Sequence, residues 1–557
     1  MRVDLLAAVC PGSLRLILDN LASTQLTNNA AGTNPREEQR SAGQLPADVV
    51  GTTRPQLPDP GSVSEQIKEW EATQSKFARF QTAGVPVAEA LTRWALELLR
   101  ENQLPTAISV LRAALALAPT DPVLWAEYGI ALDQSNSSEA AAACLEYSVA
   151  LSRPQPSTWL MLGLVRKKLG DLRGAEAACR VALEQEPDSS VAWQLLGVIK
   201  EEQRDYATAS DCLKACIAAG GANAALQANL GKLQYQLGRM AESCEAYTQA
   251  AGLDPENAHY RQMARKSAFL RQMVQGDSID DAIAQYQNSS APAEGCSEEN
   301  LKGLLYSAFS MLAGFGHLDA ALRVGRKQVD LWPANPSLTY LLGAVARDKT
   351  LDRSPPEYVV EHFDTFAAGF EAQLVGVLGY DIPRKICSAV GAVTAPGHTY
   401  DTLDAGCGTG LCGPLLRPLS RALTGVDLSP KMLEPAARKA IYDTLVCEEL
   451  TAFLLRSPQC FDLVVAADLM IYFGDLTPLF AAAATALRSA GLFAFSTELW
   501  TGEGYRLLPS GRFAHAPHYI KLVAPRDFEE VFQAETTIRL EAAERLPGNI
   551  FIFRKRH

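Results

Sequence analysis

Tryptophan recurs at a fixed interval in the first half of the chain: Trp125, Trp159 and Trp193 lie 34 residues apart, and Gly129, Gly163, Gly197 and Gly231 keep the same step. A fixed period constrains the fold more than any local propensity, because each repeat must be one supersecondary unit that buries its apolar face against its neighbours. With tryptophan fourth and glycine eighth in the unit, the twentieth position holds Ala107, Ala141, Ala175 and Ala209, and the thirty-second holds Pro119, Pro187 and Pro255. The pattern predicts two amphipathic helices per unit: the small residues let the pair approach closely, and proline ends the second helix. Five units are expected to start at residues 88, 122, 156, 190 and 224, giving clear repeats over 88–257, with Gln134 to Ser138 at a helix–helix turn. Weaker hairpins follow, one marked by Ala321 and Pro333 and a last partial one around Gly343, within a helical domain over 66–350. The tryptophans are read as packing residues.

This pattern resembles the tetratricopeptide repeat family. The resemblance implies an α-helical superhelix whose concave groove holds an extended peptide or a protein partner.

The rest of the chain is bounded by composition. Lys and Arg total 51 against 63 Asp and Glu, a net charge of −12, so no basic field exists to attract nucleic acid. No apolar run approaches the ~20 residues of a membrane helix, so no membrane span is expected. Twelve cysteines form no CxxC pair, and Cys212 and Cys216 share a helical face, which points to a reducing, cytoplasmic compartment without a metal site. Residues 1–65 contain no aromatic side chain, and 31–65 hold five prolines and four glycines, so a disordered leader is expected, with a short helix at 12–23 and with its place in the translated protein left open. Asp4 within a very short apolar run argues against a signal peptide.

After residue 355 the period stops, and from Tyr400 short apolar runs alternate with helical stretches, which predicts an open α/β sheet. Seven strands are expected, near 400–405, 422–427, 444–447, 461–467, 491–497, 534–541 and 548–554. The first ends in Leu403-Asp404-Ala405-Gly406-Cys407-Gly408-Thr409-Gly410, before a helix starting at about Leu411. Glycines let this turn approach a ligand closely, and a helix N-terminus offers free N–H groups, so a nucleotide-like ligand is expected. The second strand ends at Asp427, whose carboxylate can accept both ribose hydroxyls. Gly408-Thr-Gly410-Leu-Cys-Gly413 also fits a dinucleotide fingerprint, but Asp404 would repel a pyrophosphate, and Asp427 follows Gly413 by only fourteen residues.

LDAGCGTG, GVDLSPKML, FDLVVAADLMIYF and LRSAGLFAFSTE together resemble the class I methyltransferases that use S-adenosyl-L-methionine. The match is closer to bacterial methyltransferases that carry tetratricopeptide repeats, through His362-Phe363-Asp364-Thr365-Phe366, Phe370-Glu371, Leu378-Gly379-Tyr380-Asp381-Ile382-Pro383 and Ser510-Gly511-Arg512-Phe513-Ala514-His515 with Tyr519. The resemblance implies an α/β Rossmann-like seven-stranded domain over 396–557, entered through lid or linker helices over 351–395. It implies that Asp404, Gly406, Cys407, Gly408 and Gly410 hold the methionine part, Asp427 the ribose, Leu428 and Met432 the adenine face, and Glu449 and Leu450 its edge. Ala467-Asp468-Leu469-Met470 stands where base and glutamine methylating enzymes carry an NPPY-type tetrapeptide.

Methyl transfer is an in-line displacement, so the protein must chiefly align the reactants, with a base where the acceptor carries a proton. The candidates are His515 as base, with Tyr472 and Asp468 shaping the acceptor site. His518, Arg512 as an anion contact, and Glu498 as a substrate contact or structural cap stand beside them. Phe363, Phe366 and Phe370 at helical spacing predict either core burial or a lid over the cofactor, and Cys407 and Cys412 are read as small fillers. The acceptor is a protein side chain or a small molecule. The rivals are an inactive adaptor that only binds a partner, and a nicotinamide oxidoreductase.

Overall fold

The computed structural model describes residues 60–73, 77–81, 84–151, 155–221, 223–288, 297–371, 379–394, 397–541 and 544–556. Most of the expected leader, with its helix at 12–23, lies outside them. Its C-terminal end does not match the expectation, because Pro60–Thr73 is helical and Val63 is buried with Phe77, Leu91 and Trp94. The chain divides into two compact units, Met1–Ser267 and Ala268–His557.

In the first unit the repeat frame is realised as five helix pairs: Val87–Arg100 with Leu104–Leu117, Pro122–Gln134 with Ser138–Leu151, Pro156–Lys168 with Leu172–Gln185, Ser190–Glu202 with Tyr206–Cys216, and Ala224–Gln236 with Met240–Leu253. Close approach sets the glycine spacing: a Cβ on Gly129 would sit 2.9 Å from Leu145 Cγ, and one on Gly231 would sit 2.7 Å from the Tyr247 ring. Trp125 and Trp193 do more than pack, since each indole N–H donates to the carbonyl of the preceding repeat proline, Pro119 at 3.0 Å and Pro187 at 2.8 Å. Ion pairs join successive units, among them Arg166 with Glu146 at 2.7 Å and Lys200 with Glu176 at 2.7 Å.

The second unit carries a nine-stranded sheet among the described residues. Its strands are β1 (Tyr400–Ala405), β2 (Ser420–Asp427), β3 (Thr444–Cys447), β4 (Phe461–Ala466), β5 (Leu487–Leu499), β6 (Tyr505–Leu507), β7 (Phe513–His515), β8 (Phe528–Glu541) and β9 (Glu544–Lys555). The first five lie parallel in the order β3-β2-β1-β4-β5, β9 runs antiparallel along β5, and β8 pairs outside β9. The β6–β7 hairpin pairs with Glu498 and Leu499 at the end of β5, past the last β4 pairing at Phe495. The seven expected strands are present, and β6 and β7 are additional: strands of three residues carry too little alternation to be read from sequence.

Side-chain alternation covers both faces of the sheet. Val464, Phe493, Phe495, Phe551 and Phe553 pack with Phe480 on one face, while Leu463, Val465, Leu492, Ala494, Ile550 and Ile552 pack with Ile386 and Val390 on the other. Each fully buried phenylalanine or leucine here contributes about 1.5–3 kcal/mol. Tyr340, on the Pro336–Ala346 helix, belongs to the first cluster, and its hydroxyl bonds Ser354 at 2.7 Å and Gly511 at 2.9 Å. The helices after residue 267 therefore count with the sheet, and the break between units falls there, not at the expected residue 350.

Candidate functional site

β1 delivers Asp404 and then a loop in which Gly406, Gly408 and Gly410 take φ of +69°, +53° and +84°, a region glycine enters without steric cost. The Gly406 and Cys407 N–H groups donate to Val426 O at 2.8 and 3.0 Å, tying the loop to the end of β2. There Asp427 accepts N–H bonds from Gly408 at 2.9 Å and Ser429 at 2.8 Å. Asp404 is 1% exposed and accepts the Tyr442 hydroxyl at 2.6 Å. Burial pushes the Asp404 carboxyl up to about 7, an effect the Tyr442 bond opposes and the Asp427 charge reinforces. Asp427 is also raised, first by burial and with Asp364 adding to it, while N–H bonds from Ser429, Gly408 and Leu428 pull it down.

Both carboxyls face one cleft with about 1300 Å³ of space, counting the part open to solvent. It is lined by Gly406, Cys407 and Gly408 of the loop, by Leu428, Met432, Glu449 and Leu450, and by Asp468, Tyr472 and Arg512. Its roof is the Pro356–Phe366 helix and the residues that follow, which supply Phe363 and Phe370. Polar latches hold this roof: Asp364 accepts the Ser429 hydroxyl at 2.6 Å, and Glu371 meets both Thr409 and Lys439 at 2.6 Å. Phe363 packs edge-on against Phe370 and Tyr472, at 5.9 and 5.7 Å. The side chain of Phe366 lies outside the described residues. Among the described residues no group of three or more His, Cys, Asp or Glu side chains is arranged to hold a metal ion, and no helix is long and apolar enough to cross a membrane.

The methyltransferase-domain family matches residues 403–495, and the tetratricopeptide-repeat family matches residues 195–258. This chain carries a methyltransferase domain and tetratricopeptide repeats. A curated relative, the ubiquinone biosynthesis O-methyltransferase of Colwellia psychrerythraea, is 27% identical over 125 residues, which is 21% of this chain. The chain spans about half the length of that relative (50%). Solved structures similar to it include the N-methyltransferase NodS of Bradyrhizobium japonicum (17% identity, 36% of this chain and 99% of that one, TM-score 0.30). An S-adenosylmethionine dependent methyltransferase of Mesorhizobium loti is another (23%, 30% and 96%, TM-score 0.26).

Several residues singled out from the sequence take other places in the methyltransferase domain. His515 does not line the cleft: it is fully buried in β7, its Nε2 lies 2.8 Å from Phe473 O, and burial lowers its pKa to about 4. A ring enclosed in this way has no route to an acceptor, so the base role expected of it is withdrawn. His518 and Glu498 also stay out of the cleft wall. Glu498 is 2% exposed and bonds Arg539 at 2.5 Å, so the structural alternative holds for it. Gly410 does not line the cleft either; a Cβ there would lie 3.0 Å from the Tyr442 ring, so its part is to admit the tyrosine that holds Asp404. The Glu449 carboxylate caps its own helix, accepting from Thr451 and Ala452 at 2.8 Å each, and pairs with Arg353. Burial pushes the Cys407 thiol up, and Cys412 is raised by its bond to Cys387 and by burial, so both fit the filler reading.

Sequence reasoning passed over Tyr442, Arg353 and Arg539, and quoted His362 only within a motif. Of these, Arg539 carried a usable signal, as an arginine between Ile538 and Leu540 in a strand. It is 3% exposed and bridges Glu498 to Asp468, the latter at 3.3 Å.

Proposed function

We propose that the cleft binds S-adenosyl-L-methionine and that the protein transfers its methyl group to an acceptor bound beside it. The observation that carries this reading is the pair of buried carboxyls, Asp404 and Asp427, facing one cleft where the charges of Asp427 and Asp364 act on them in the unfavourable direction. Such a site favours a ligand with positive charge and hydroxyl donors and disfavours a dinucleotide's pyrophosphate. The residues fit the cofactor: Asp404 would take its ammonium, the Gly406–Gly408 backbone its amino-acid part, and Asp427 its ribose hydroxyls. Leu428, Met432 and Leu450 would hold the adenine.

When bound, the cofactor supplies a sulfonium methyl group for in-line displacement, the C–S electron pair returning to sulfur. The chain's own part is alignment and exclusion of water. Phe363, Phe370 and Tyr472 supply apolar lining to the cleft, and the latches at Asp364 and Glu371 hold the segment that carries Phe363 and Phe370 to Ser429 and to Thr409 of the glycine loop. The curated relative's name favours oxygen as acceptor atom. The repeats are read as the surface that recruits a protein or peptide partner, and the compartment as the cytoplasm.

Calorimetric titration with S-adenosyl-L-methionine, S-adenosylhomocysteine and NADH tests this reading. Binding of the first two alone, lost by about 100-fold or more in Asp427→Ala, is the expected result, since two hydrogen bonds to a carboxylate contribute about 1.5–3 kcal/mol each. Binding of none would leave the repeats as the functional part, as an adaptor requires.

A further inference from the structure

We propose that Tyr380 holds the cofactor's ammonium together with Asp404: its hydroxyl oxygen accepts one of the N–H groups, and Asp468 beside it favours the positive charge. The proposal rests on the reading of the cleft as the S-adenosyl-L-methionine site.

Tyr380 is 7% exposed and lines the cleft. It packs with Ile382 and Ile538, and against that cluster lie Leu411, which follows the glycine loop, and Ala467, which follows β4. Its hydroxyl makes no hydrogen bond among the described residues: what acts on it is burial first, then Asp468, with Cys412, Arg539 and Asp404 after it. Leaving a buried hydroxyl without a partner is costly, so one that lines a cleft is a contact kept for a ligand.

The charges around this hydroxyl select the ligand group. A carboxylate there would meet Asp468 and Asp404, and the cation among these neighbours, Arg539, is already paired with Asp468 at 3.3 Å and with Glu498 at 2.5 Å. An ammonium is attracted instead. It also carries three N–H donors, more than Asp404 can readily accept, since Asp404 Oδ2 already takes the Tyr442 hydroxyl at 2.6 Å. Asp468 is fixed in place for this. It holds a φ of +55°, uncommon outside glycine, while its N–H donates to the Ser496 hydroxyl at 2.8 Å and its Oδ2 accepts from Arg539.

The test titrates the full chain, and its Tyr380→Phe and Asp468→Asn variants, with S-adenosylhomocysteine and with the analogue in which hydrogen replaces the amino group while the carboxylate is kept. Affinities are read by displacement where direct binding is weak. Tyr380→Phe should weaken S-adenosylhomocysteine by about tenfold, the loss of a hydrogen bond to a charged group, and change the analogue by less than about twofold. Asp468→Asn should weaken S-adenosylhomocysteine as well and leave the analogue as tight or tighter. No loss of S-adenosylhomocysteine affinity in Tyr380→Phe, or an equal loss for both ligands, overturns the proposal, the second because the hydroxyl then serves the carboxylate or only shapes the cleft. Should Tyr380→Phe not fold, the same two outcomes in Asp468→Asn decide. Failure of S-adenosylhomocysteine to bind the wild-type chain would overturn the underlying reading instead, and is seen before any variant is made.

Discussion

The affinity of the cleft for a cationic ligand should rise with pH and level off only above about 8, because Asp404 must be ionised to hold an ammonium. Burial raises its carboxyl from 3.8 to about 7 in the ligand-free protein. The ionised fraction is then about 0.03 at pH 5.5 and about 0.9 at pH 8, so the dissociation constant for S-adenosylhomocysteine should be about thirtyfold weaker at the lower pH. The ammonium and carboxylate of the ligand do not titrate in this window, so the slope belongs to the protein. The Asp404 contribution to stability without ligand should move the other way. Between about pH 4 and 7 the unfolded chain has released the Asp404 proton while the native state retains it, so the contribution of this one group is greatest at the acid end and falls as pH rises, opposite in sign to that of the buried His515. Calorimetry at half-unit steps from pH 5.5 to 8, repeated with Asp404→Asn, measures both. The variant should bind weakly with a flatter slope, and the slope that remains belongs to Asp427, which is also raised. A wild-type affinity that does not change across this range would refute the assignment of Asp404 as the ammonium partner.

Three further outcomes follow from the geometry. Gly231→Ala places a Cβ 2.7 Å from the Tyr247 ring and should cost about 1–3 kcal/mol in denaturant unfolding, whereas Gly303→Ala, with open space around it in a helix, should be neutral or slightly stabilising. His515→Gln should leave the shape of the pH–rate profile intact and instead remove part of the stability loss seen as pH falls from 6.5 to 4, where the unfolded chain protonates a histidine that the fold keeps neutral; loss of a limb of the rate profile would restore its role as base. Glu371→Gln cuts the latch to Lys439 and should speed release of S-adenosylhomocysteine by about two- to fivefold in stopped flow, since a pair this exposed contributes at most about 1 kcal/mol.

The helical repeats were legible because their signal is periodic and each position answers a local need. Gly129 and Gly231 stand where a neighbouring helix leaves no room for a Cβ, and Pro119 and Pro187 receive the indole bonds of Trp125 and Trp193. The helices after residue 267 lost the period, and with it the information that Tyr340 packs on the sheet: one buried tyrosine bonding Ser354 and Gly511 leaves no pattern in the sequence. The strands were legible through alternation, so that Leu463 and Val464 face opposite cores. β6 and β7 were too short to alternate.

The same division runs through the cleft. Asp404, Asp427 and the glycines between them could be read because their role depends on backbone that is close in sequence: a strand end, a turn with positive φ, and the next strand end. Tyr442 reaches Asp404, and Arg512 and Arg539 reach the cleft, from other elements, and for them only residue chemistry was available. Arg539 shows how far that goes. An arginine on the inward face of a strand must find anions in the interior, since an unpaired buried charge costs several kcal/mol. Glu498 and Asp468, at the ends of β5 and just past β4, are the anions it meets. Burial therefore fixed the partners of Arg539, two carboxylates that the chain supplies from neighbouring strands.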